Sequence, residues 1–390
     1  MERVVLYLFF VASLCVEISC GVDNATCLGT TSRENAVVYD AFDSQEYSET
    51  TSENIAKLVM KSVVALIGRA SLTQFTDGTV GYHASSAQEI FGLCGSERWA
   101  AQPSLAACSG VLVANDLVLT AGHCLPAGHA SCMDIDAVFG WVISGDSPPS
   151  LFAQESVYHC RRIVAQQEFR DGDIIRDYAL FQLDRSVESR YHDVVTVNME
   201  RTMMKDDAVL NIGTPLGVPM KIDAGGVVVI GGTHEEGYFV ATTDSFERSS
   251  GSPVFGLDSL ALVGIVVEGE RDFVVDGDCR RARRCSYSSC AGETIAYVAA
   301  IISAVCDNLG HLSLCGREPV CGDRYCDSSE EASCPEDCKV VDEHRGLENE
   351  EADAVYQQSS GCASARGTKA VVFVVLVLLV GGFYIRGKKF

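Results

Sequence analysis

Three separated stretches of the chain carry residue types that together can perform nucleophilic catalysis. Residues 243–256 read Thr-Asp-Ser-Phe-Glu-Arg-Ser-Ser-Gly-Ser-Pro-Val-Phe-Gly, a polar run that ends in a Ser-Gly-x-Pro turn. The glycine permits a tight bend, which would present the hydroxyl of Ser250. Ser249 and Ser252 are rivals, but only Ser250 directly precedes that glycine. A serine hydroxyl is a weak nucleophile unless a base accepts its proton, so the chain must also supply a base.

Candidates for the base and for an acid that orients it lie upstream of the serine. A series of short apolar runs ends in Thr-Ala-Gly-His-Cys, which contains His123, and Asp177 begins the apolar run Asp-Tyr-Ala-Leu-Phe-Gln-Leu. A histidine can act as general base, and a buried carboxylate behind it would fix its tautomer and stabilise the imidazolium. Asp171 and Asp173 compete for the second role, but only Asp177 leads directly into an apolar strand.

The order of these residues and the motifs around them resemble the chymotrypsin-like (trypsin-like) serine proteases. The shared features are Thr-Ala-Gly-His-Cys around His123, Asp-x-Ala-Leu from Asp177 and Ser-Gly-x-Pro from Ser250. Residues 212–221 and the Asp-Ser-Phe before the serine are similar to the glutamyl-endopeptidase-like branch of the bacterial enzymes. The likeness covers about residues 37–306. It implies two six-stranded antiparallel β-barrels, with the base and the acid on the first and the nucleophile on the second.

The composition is compatible with that all-β fold. Apolar residues make up 47% of the chain, enough for a packed core, and they occur in short runs broken by Gly, Asp, Asn and Pro. The formal net charge of −23 argues against a nucleic-acid partner, since phosphate binding needs clustered Lys and Arg. The 18 cysteines indicate an oxidising compartment. Cys108 and Cys124 fit a disulfide that would hold the strand carrying the base, and Cys132–Cys160 is a second candidate pair.

The nucleophile loop departs from the family pattern at two positions. In the family, a glycine lies two residues before the nucleophile, and the backbone N–H groups of these two residues form the oxyanion hole. By that pattern the donors here are Arg248 and Ser250, so an arginine replaces the glycine. A positive φ at Arg248 would cost roughly 1–2 kcal/mol, whereas a flipped peptide would lose one donor. Ser249 also replaces the family's Asn or Asp, so a buried new N-terminus would have no acidic partner there.

Two carboxylates are candidates for the primary specificity pocket. Asp244 lies six residues before Ser250, and the equivalent aspartate of trypsin-like enzymes pairs with a substrate Lys or Arg. In the glutamyl-endopeptidase-like branch the aspartate need not face the substrate, and a histidine on the later strand helps to recognise glutamate. The corresponding stretch here, residues 264–269, has no histidine and offers Glu268. Two carboxylates would attract a cation and repel an acidic side chain, so we predict cleavage after Lys or Arg.

The segments outside the barrels differ in composition from the protease domain. A short apolar run predicts a signal peptide, and an apolar stretch with a basic end predicts a membrane helix or a sorting tail. A cysteine-rich stretch predicts a disulfide-held spacer, with calcium binding as the less favoured alternative. The expected divisions are a signal peptide at 1–20, a flexible lead-in or pro-segment at 21–53, the protease domain at 54–306, the small Cys-rich module at 315–338, an acidic linker at 339–369 and the membrane segment at 370–385.

These features together predict an exported, membrane-anchored serine endopeptidase. We expect a single membrane pass with the N-terminal domain outside, and protein or peptide substrates. Neither a metal nor an organic cofactor is implied, because the Ser-His-Asp mechanism uses side chains and backbone groups only. The alternative is a catalytically weakened homologue that acts as a surface-binding protein, and Arg248 is the feature that supports it.

Overall fold

The computed structural model describes residues 38–39, 42–125, 132–171, 174–285, 290–309 and 312–316. The chain divides into two units, residues 1–338 and 339–390, and every described residue lies in the first. The expected signal peptide (1–20), the acidic linker and the membrane segment (370–385) lie outside the described residues, and so does the Cys-rich module beyond Gly316. None of the described helices is long and apolar enough to cross a membrane.

Six antiparallel strands close the first barrel. Numbered in chain order, they are β1 (Val63–Gly68), β2 (Ala106–Ala114), β3 (Leu117–Thr120), β4 (Ile135–Val138), β5 (Val157–Asp171) and β6 (Ile174–Leu183). The order around the barrel is β4-β5-β6-β3-β2-β1, and the pairing of β1 with β4 closes it. Apolar and β-branched residues fill the strands, as in the buried Val-Val-Ala-Leu-Ile of β1, because they fit a half-buried pleated surface.

Six further antiparallel strands close the second barrel. They are β7 (Ala208–Gly213), β8 (Lys221–Ile230), β9 (Tyr238–Ala241), β10 (Pro253–Gly256), β11 (Leu262–Glu268) and β12 (Glu293–Tyr297). The order is β7-β10-β11-β12-β9-β8, and β7 pairs with β8 to complete the circle. The sequence-based prediction of an all-β domain with two six-stranded antiparallel barrels is therefore confirmed. Closure leaves no free sheet edge within either ring.

The largest apolar cluster fills the first barrel and continues into the contact between the two barrels. Phe181 and Leu119 lie at its centre, and Leu210, Phe255 and Ile265 join it from the second barrel. A smaller cluster inside the second barrel packs around its own strands. Because the shared cluster is close-packed, the two barrels hold a fixed relative position.

Shorter elements lie outside the barrels. The helices are α1 (Glu53–Lys61), α2 (Ala87–Phe91) and α3 (Val298–Asn308). The short strands are Val38–Tyr39, Gln45–Glu46, Leu72–Gln74, Val80–Tyr82, Ser85–Ser86, Pro103–Ser104, Phe273–Asp276, Cys279–Ala282 and Arg284–Cys285. Single 3₁₀ turns occur at Tyr47–Glu49, Arg69–Ser71, Gly122–Cys124, Gln154–Ser156, Pro215–Gly217 and Ser313–Cys315.

The segment before α1 packs against the second barrel. Val38–Tyr39 pairs in parallel with Arg284–Cys285, and Gln45–Glu46 pairs with the start of β8. The carboxylate of Glu46 lies 3.0 Å from the buried ammonium of Lys221. Part of the stretch that we expected to be a flexible lead-in therefore contacts the barrel that carries the serine.

Disulfides join several of these elements. The bridges among the described residues are Cys94–Cys279, Cys108–Cys124, Cys132–Cys160, Cys285–Cys290 and Cys306–Cys315. The second and third are the pairs that the sequence suggested. Cys315, which we had placed in the Cys-rich module, instead joins the end of α3.

Candidate active site

The candidate base and the candidate acid are hydrogen-bonded to each other. His123 lies in the 3₁₀ turn that follows β3, and Asp177 lies on β6, the neighbour of β3 in the barrel. The Nδ1 atom of His123 lies 2.8 Å from Oδ2 of Asp177, and the backbone N–H of His123 donates to Oδ1 at 3.1 Å. The Asp177 side chain is 3% exposed and that of His123 28%. This arrangement places the proton on Nδ1 and leaves Nε2 available as a base.

The turn that carries His123 is held by its close neighbours. A Cβ atom at Gly122 would clash with the carbonyl oxygen of Gln167 and lie 2.9 Å from Oδ1 of Asp177, so only glycine fits there. The side-chain amide of Gln166 donates to the carbonyl oxygen of Gly122 at 2.8 Å and also to that of Leu125. Sequence reasoning missed Gln166, since nothing in a polar stretch of β5 marks one glutamine as a support for another loop.

Asp177 is distinguished from its rivals by position. Asp171 lies on the exposed end of β5, and Asp173 lies outside the described residues. Because the register of β6 with β3 pairs Ala179 with Thr120, Asp177 comes next to the histidine turn that follows β3. The apolar run after Asp177 is therefore what identified it, because a strand in that register must pass His123.

The serine loop meets the histidine turn through the first barrel. The carbonyl oxygen of Ser250 accepts the N–H of Ser109 at 2.9 Å and lies 3.7 Å from Sγ of Cys124, the residue after His123. Gly251 has a φ of 80°, and a Cβ atom there would clash with the carbonyl oxygen of Ser109. The Ser-Gly turn is thus required by how closely the loop approaches β2.

The three serines of the loop have different environments. The hydroxyl of Ser249 accepts the N–H of Phe246 at 3.0 Å, which closes the turn. Ser252 is completely buried. The Ser252 hydroxyl also has no hydrogen-bond partner among the described residues, but Ser252 is 0% exposed. Ser250 is 5% exposed and its hydroxyl has no hydrogen-bond partner in the same part of the chain, so Ser250 is the serine left available for chemistry.

Arg248 adopts the left-handed backbone conformation that the family pattern gives to glycine. Its φ is 74°, which costs roughly 1–2 kcal/mol for a residue with a Cβ atom. The carbonyl oxygen of Glu247 accepts the N–H of Leu216 at 2.7 Å, so its hydrogen bond goes to a residue outside the serine loop. Within the described part of the chain, neither the N–H of Arg248 nor that of Ser250 donates a hydrogen bond. Two free donors beside a serine hydroxyl can bind an oxygen that gains negative charge.

Asp244 lies buried among other acidic groups. Its side chain is 5% exposed, and Oδ1 accepts the N–H of Tyr39 at 2.9 Å. Its own N–H donates to Oδ2 of Asp223 at 2.7 Å. Burial, and then the negative charge of Asp223, raise the pKa of Asp244, and burial raises the pKa of Asp223. The carboxyl is therefore poorly compensated, and a cation beside it would favour its charged form.

Besides Asp223, another buried carboxyl accepts a hydrogen bond from the residue next to Asp244. Glu293, at the start of β12, is fully buried and accepts the hydroxyl of Ser245 at 2.9 Å. Burial raises its pKa well above the usual value. The hydroxyl of Tyr39 also approaches it, at 3.5 Å. Sequence reasoning missed Glu293, although a glutamate that opens an otherwise apolar strand was a usable signal.

Glu268, the other carboxylate expected in the pocket, is paired with an arginine. Arg170, near the end of β5, forms an ion pair with Glu268, whose side chain is 30% exposed. The ion pair joins the first barrel to the second. Arg170 balances the charge of Glu268. This carboxylate should therefore attract a substrate cation less strongly than the sequence suggested. Within the described ranges, no group of three or more His, Cys, Asp or Glu residues could hold a metal ion.

A family model matches the part of the chain that holds the candidate site. Residues 108–265 match the family model described as trypsin-like peptidase domain, and this range contains His123, Asp177 and Ser250. The chain therefore carries a trypsin-like peptidase domain. Among solved structures, the VesB protease of Vibrio cholerae is similar, with 13% sequence identity over 69% of each chain and a TM-score of 0.42. No curated protein sequence matches the chain. The glutamyl-endopeptidase-like branch stays a prediction.

Proposed function

We propose that the protein is a serine endopeptidase that cleaves peptide bonds through an acyl-enzyme on Ser250. The observation that carries the proposal is the double contact of Asp177 with His123, next to a loop whose serine hydroxyl is unengaged. A buried carboxylate that accepts from both the backbone and the ring of one histidine fixes its orientation. The trypsin-like peptidase domain supports the same class of reaction.

The proposed reaction follows from these positions. The Oγ atom of Ser250 attacks the scissile carbonyl carbon while Nε2 of His123 accepts the hydroxyl proton. The carbonyl oxygen becomes an oxyanion that accepts the N–H groups of Arg248 and Ser250. His123 then donates its proton to the departing amine, and the acyl group remains on the serine. Water, activated by the same histidine, releases the new carboxylate.

Asp177 stabilises the charged histidine in this sequence of steps. When His123 gains the serine proton, it becomes an imidazolium beside a carboxylate 2.8 Å from its Nδ1 atom. Because the carboxylate is buried, water screens the attraction little. His123 carries every proton between Ser250, the departing amine and the attacking water, so no metal or organic cofactor is needed in the proposal.

The location and the cleavage preference are further parts of the proposal. We propose export and membrane anchoring, based on the apolar runs in 1–20 and 370–385 and supported by disulfides that persist in oxidising compartments. We propose cleavage after Lys or Arg, because Asp244 is a buried carboxyl that a cationic side chain would stabilise. A peptide-library digest tests the preference, and cleavage after Glu or Asp would contradict it.

The alternative function is that of a catalytically weakened homologue that binds other proteins at a surface. It depends on Arg248, since a flipped peptide there would remove one oxyanion donor. The left-handed φ of Arg248 and the hydrogen bond from Leu216 to the carbonyl of Glu247 favour the peptidase instead.

Labelling by a fluorophosphonate tests the peptidase. We expect the purified full-length chain to react, and Ser250→Ala and His123→Ala to abolish the reaction. Ser249→Ala is the matched control and should keep the label, because the Ser249 hydroxyl serves the turn. A label that persists in Ser250→Ala would contradict the assignment of the nucleophile. A wild-type chain that does not react would favour the binding protein.

A further inference from the structure

The side chain of Arg248 is fastened to residues outside the nucleophile loop. Its Nη1 atom donates to the hydroxyl of Ser104 at 3.0 Å and to the carbonyl oxygen of Ala106 at 3.4 Å. The guanidinium carbon lies 5.2 Å from the centre of the Phe91 ring, within the range of a cation–π contact. These contacts come from the end of α2, a short strand and the start of β2. The side chain of the arginine that replaces a glycine is therefore held by specific contacts.

The same contacts return to the peptide that precedes Arg248. The hydroxyl of Ser104 accepts from Arg248 and donates to the carbonyl oxygen of Leu216. The N–H of Leu216 in turn donates to the carbonyl oxygen of Glu247 at 2.7 Å. Side chain and peptide are therefore joined in a ring of four residues. Leu216 also has a left-handed backbone, with a φ of 56°.

The platform that receives the guanidinium is well supported. In α2, Ser86 and Glu89 form reciprocal hydrogen bonds that fix the start of the helix leading to Phe91. The disulfide Cys94–Cys279 ties the segment after α2 to a hairpin that follows β11. On the other side, the hydroxyl of Thr214 donates to the carbonyl oxygen of Arg248 at 3.5 Å. The arginine is held from both ends.

We propose that Arg248 and Ser104 are positioning residues, which keep the Glu247–Arg248 peptide turned so that its N–H faces the oxyanion. The inference rests on the proposed role of Ser250 as nucleophile. An L-residue with positive φ would relax if the peptide rotated, and the rotation would direct the Glu247 carbonyl toward the serine. Rotation also breaks the bond from Leu216 and pulls the guanidinium from Ser104 and Phe91. The anchored side chain therefore keeps Arg248 in a left-handed conformation, which glycine adopts without strain because it has no Cβ atom.

Three substitutions and a control test this role by steady-state kinetics. Arg248→Ala keeps the Cβ atom and loses the anchor, so kcat should fall about 10²-fold while KM changes less than about threefold. Arg248→Gly removes the backbone conflict, and its kcat should exceed that of the alanine variant by about tenfold. Ser104→Ala should lower kcat by about 3–10-fold, since one link of the ring is lost. The control is Arg185→Ala, which removes another arginine that lies over an aromatic ring. Its guanidinium carbon is 4.0 Å from the centre of the Tyr158 ring in the first barrel, and kcat should be unchanged.

A transition-state readout separates positioning from general stability. The affinity for a peptide aldehyde, which forms a tetrahedral adduct with the serine, should fall in Arg248→Ala by the same factor as kcat. In a Ser250→Ala background, the affinity for an uncleaved substrate peptide should be the same with and without the additional Arg248→Ala substitution, because the ground state does not use the oxyanion donors.

Several results would overturn the inference. An Arg248→Ala enzyme with wild-type kcat would show that the side chain is not needed. An Arg248→Gly enzyme faster than wild type would show that the arginine strains the site, and one as slow as Arg248→Ala would show a role beyond positioning. A crystal structure of Arg248→Ala decides the point without activity. We expect the Glu247 carbonyl to turn toward the N–H of Ser250, and a carbonyl still bonded to Leu216 contradicts the anchor even if wild type proves unreactive.

Discussion

Each of the two barrels carries part of the candidate site, but they hold their residues by different means. In the first barrel, His123 lies in the turn that follows β3, Asp177 lies on the neighbouring strand β6, and two hydrogen bonds join them. In the second barrel, the serine loop has two residues with positive φ, Arg248 and Gly251, and depends on Ser104 and other groups far along the chain. The first arrangement needs the pairing of two strands within one barrel, whereas the second needs groups from several distant parts of the chain.

The buried carboxyls of the two barrels, Asp177 and Asp244, also differ in how their surroundings stabilise them. Both oxygens of Asp177 receive hydrogen bonds from His123. Asp244 has acidic neighbours instead, and burial together with Asp223 raises its pKa. A buried carboxylate without a cation is unfavourable unless it takes up a proton. The carboxylate of Asp177 thus already has its hydrogen-bond partner, His123. For Asp244, the cationic partner would be the Lys or Arg side chain of the substrate that we propose.

The largest effect should come from breaking the compensated pair. Asp177→Asn keeps the shape but replaces an acceptor by a donor, which disfavours the tautomer that His123 needs. We expect kcat to fall about 10³–10⁴-fold, with little change in KM. Steady-state hydrolysis of a peptide ester measures both constants.

The first barrel offers a matched control for that change. Asp136 is also buried and lies 2.7 Å from Nδ1 of a histidine, His159, but away from the serine loop. Asp136→Asn should leave kcat unchanged, although it weakens the bonds from Arg69 and lowers stability. Equal losses of kcat in the two variants would mean that buried Asp–His pairs stabilise the fold generally, and that Asp177 has no special role.

A smaller effect should follow when the uncompensated carboxyl is removed. Asp244→Ser takes away the charge that we expect to pair with a substrate Lys or Arg. The ratio of kcat/KM for an Arg peptide over the matched Gln peptide should fall about 10–100-fold. A ratio that stays at the wild-type value would show that the carboxyl does not read the cleaved residue.

The stability of the free enzyme should also respond to Asp244, and the response should depend on pH. A carboxyl whose pKa is raised by folding stabilises the protein below its unfolded pKa, near 3.8, and that contribution is lost as the pH rises through the folded value. Asp244→Asn does not titrate. Between pH 4 and pH 9, its free energy of unfolding should therefore rise relative to wild type by at least about 1.4 kcal/mol, the equivalent of one pKa unit.

Denaturant unfolding at several pH values measures this difference. Asp146→Asn, at an exposed position, is the control and should show no such trend. Glu293 is present in both proteins, whereas Asp223 and Asp244 interact, so the difference reports on this buried pair of carboxyls. A trend of opposite sign would mean that a cation already accompanies the carboxyl.

The smallest effect should come from the paired carboxylate. Because Arg170 already balances Glu268, Glu268→Gln should change the preference for Arg over Gln peptides by less than about threefold. The ion pair is partly exposed, so its coupling energy in a cycle with Arg170→Ala should shrink as salt is added. A large loss of preference in Glu268→Gln would place this carboxylate in the pocket after all.

The sequence marked the parts of the candidate site that lie in contiguous motifs. The histidine turn could be recognised because its motif Thr-Ala-Gly-His-Cys is contiguous in the sequence, although Gly122 contacts Gln167 and Cys124 is bonded to Cys108. Asp177 could be recognised because an apolar strand follows it. The two barrels followed from the spacing of apolar runs together with the resemblance to known proteases.

The remaining parts depend on contacts between distant positions. Arg248 meets Ser104 across 144 residues, and Arg170 meets Glu268 across 98. A single sequence does not say which exposed or polar residues will face each other at such separations. For this reason the sequence marked Arg248 as a defect and Glu268 as a free charge, while the fold gives each of them a partner.

The pairing of Val38–Tyr39 with residues near the end of the domain also bears on folding. During synthesis, Tyr39 is made 205 residues before Asp244, which accepts its N–H. At 5–20 residues per second, that interval is roughly 10–40 s. Contacts so far apart in sequence form late, because a long loop must close first. The strands of the first barrel are all synthesised before those of the second. We expect peptidase activity to appear only after almost the whole domain has been synthesised.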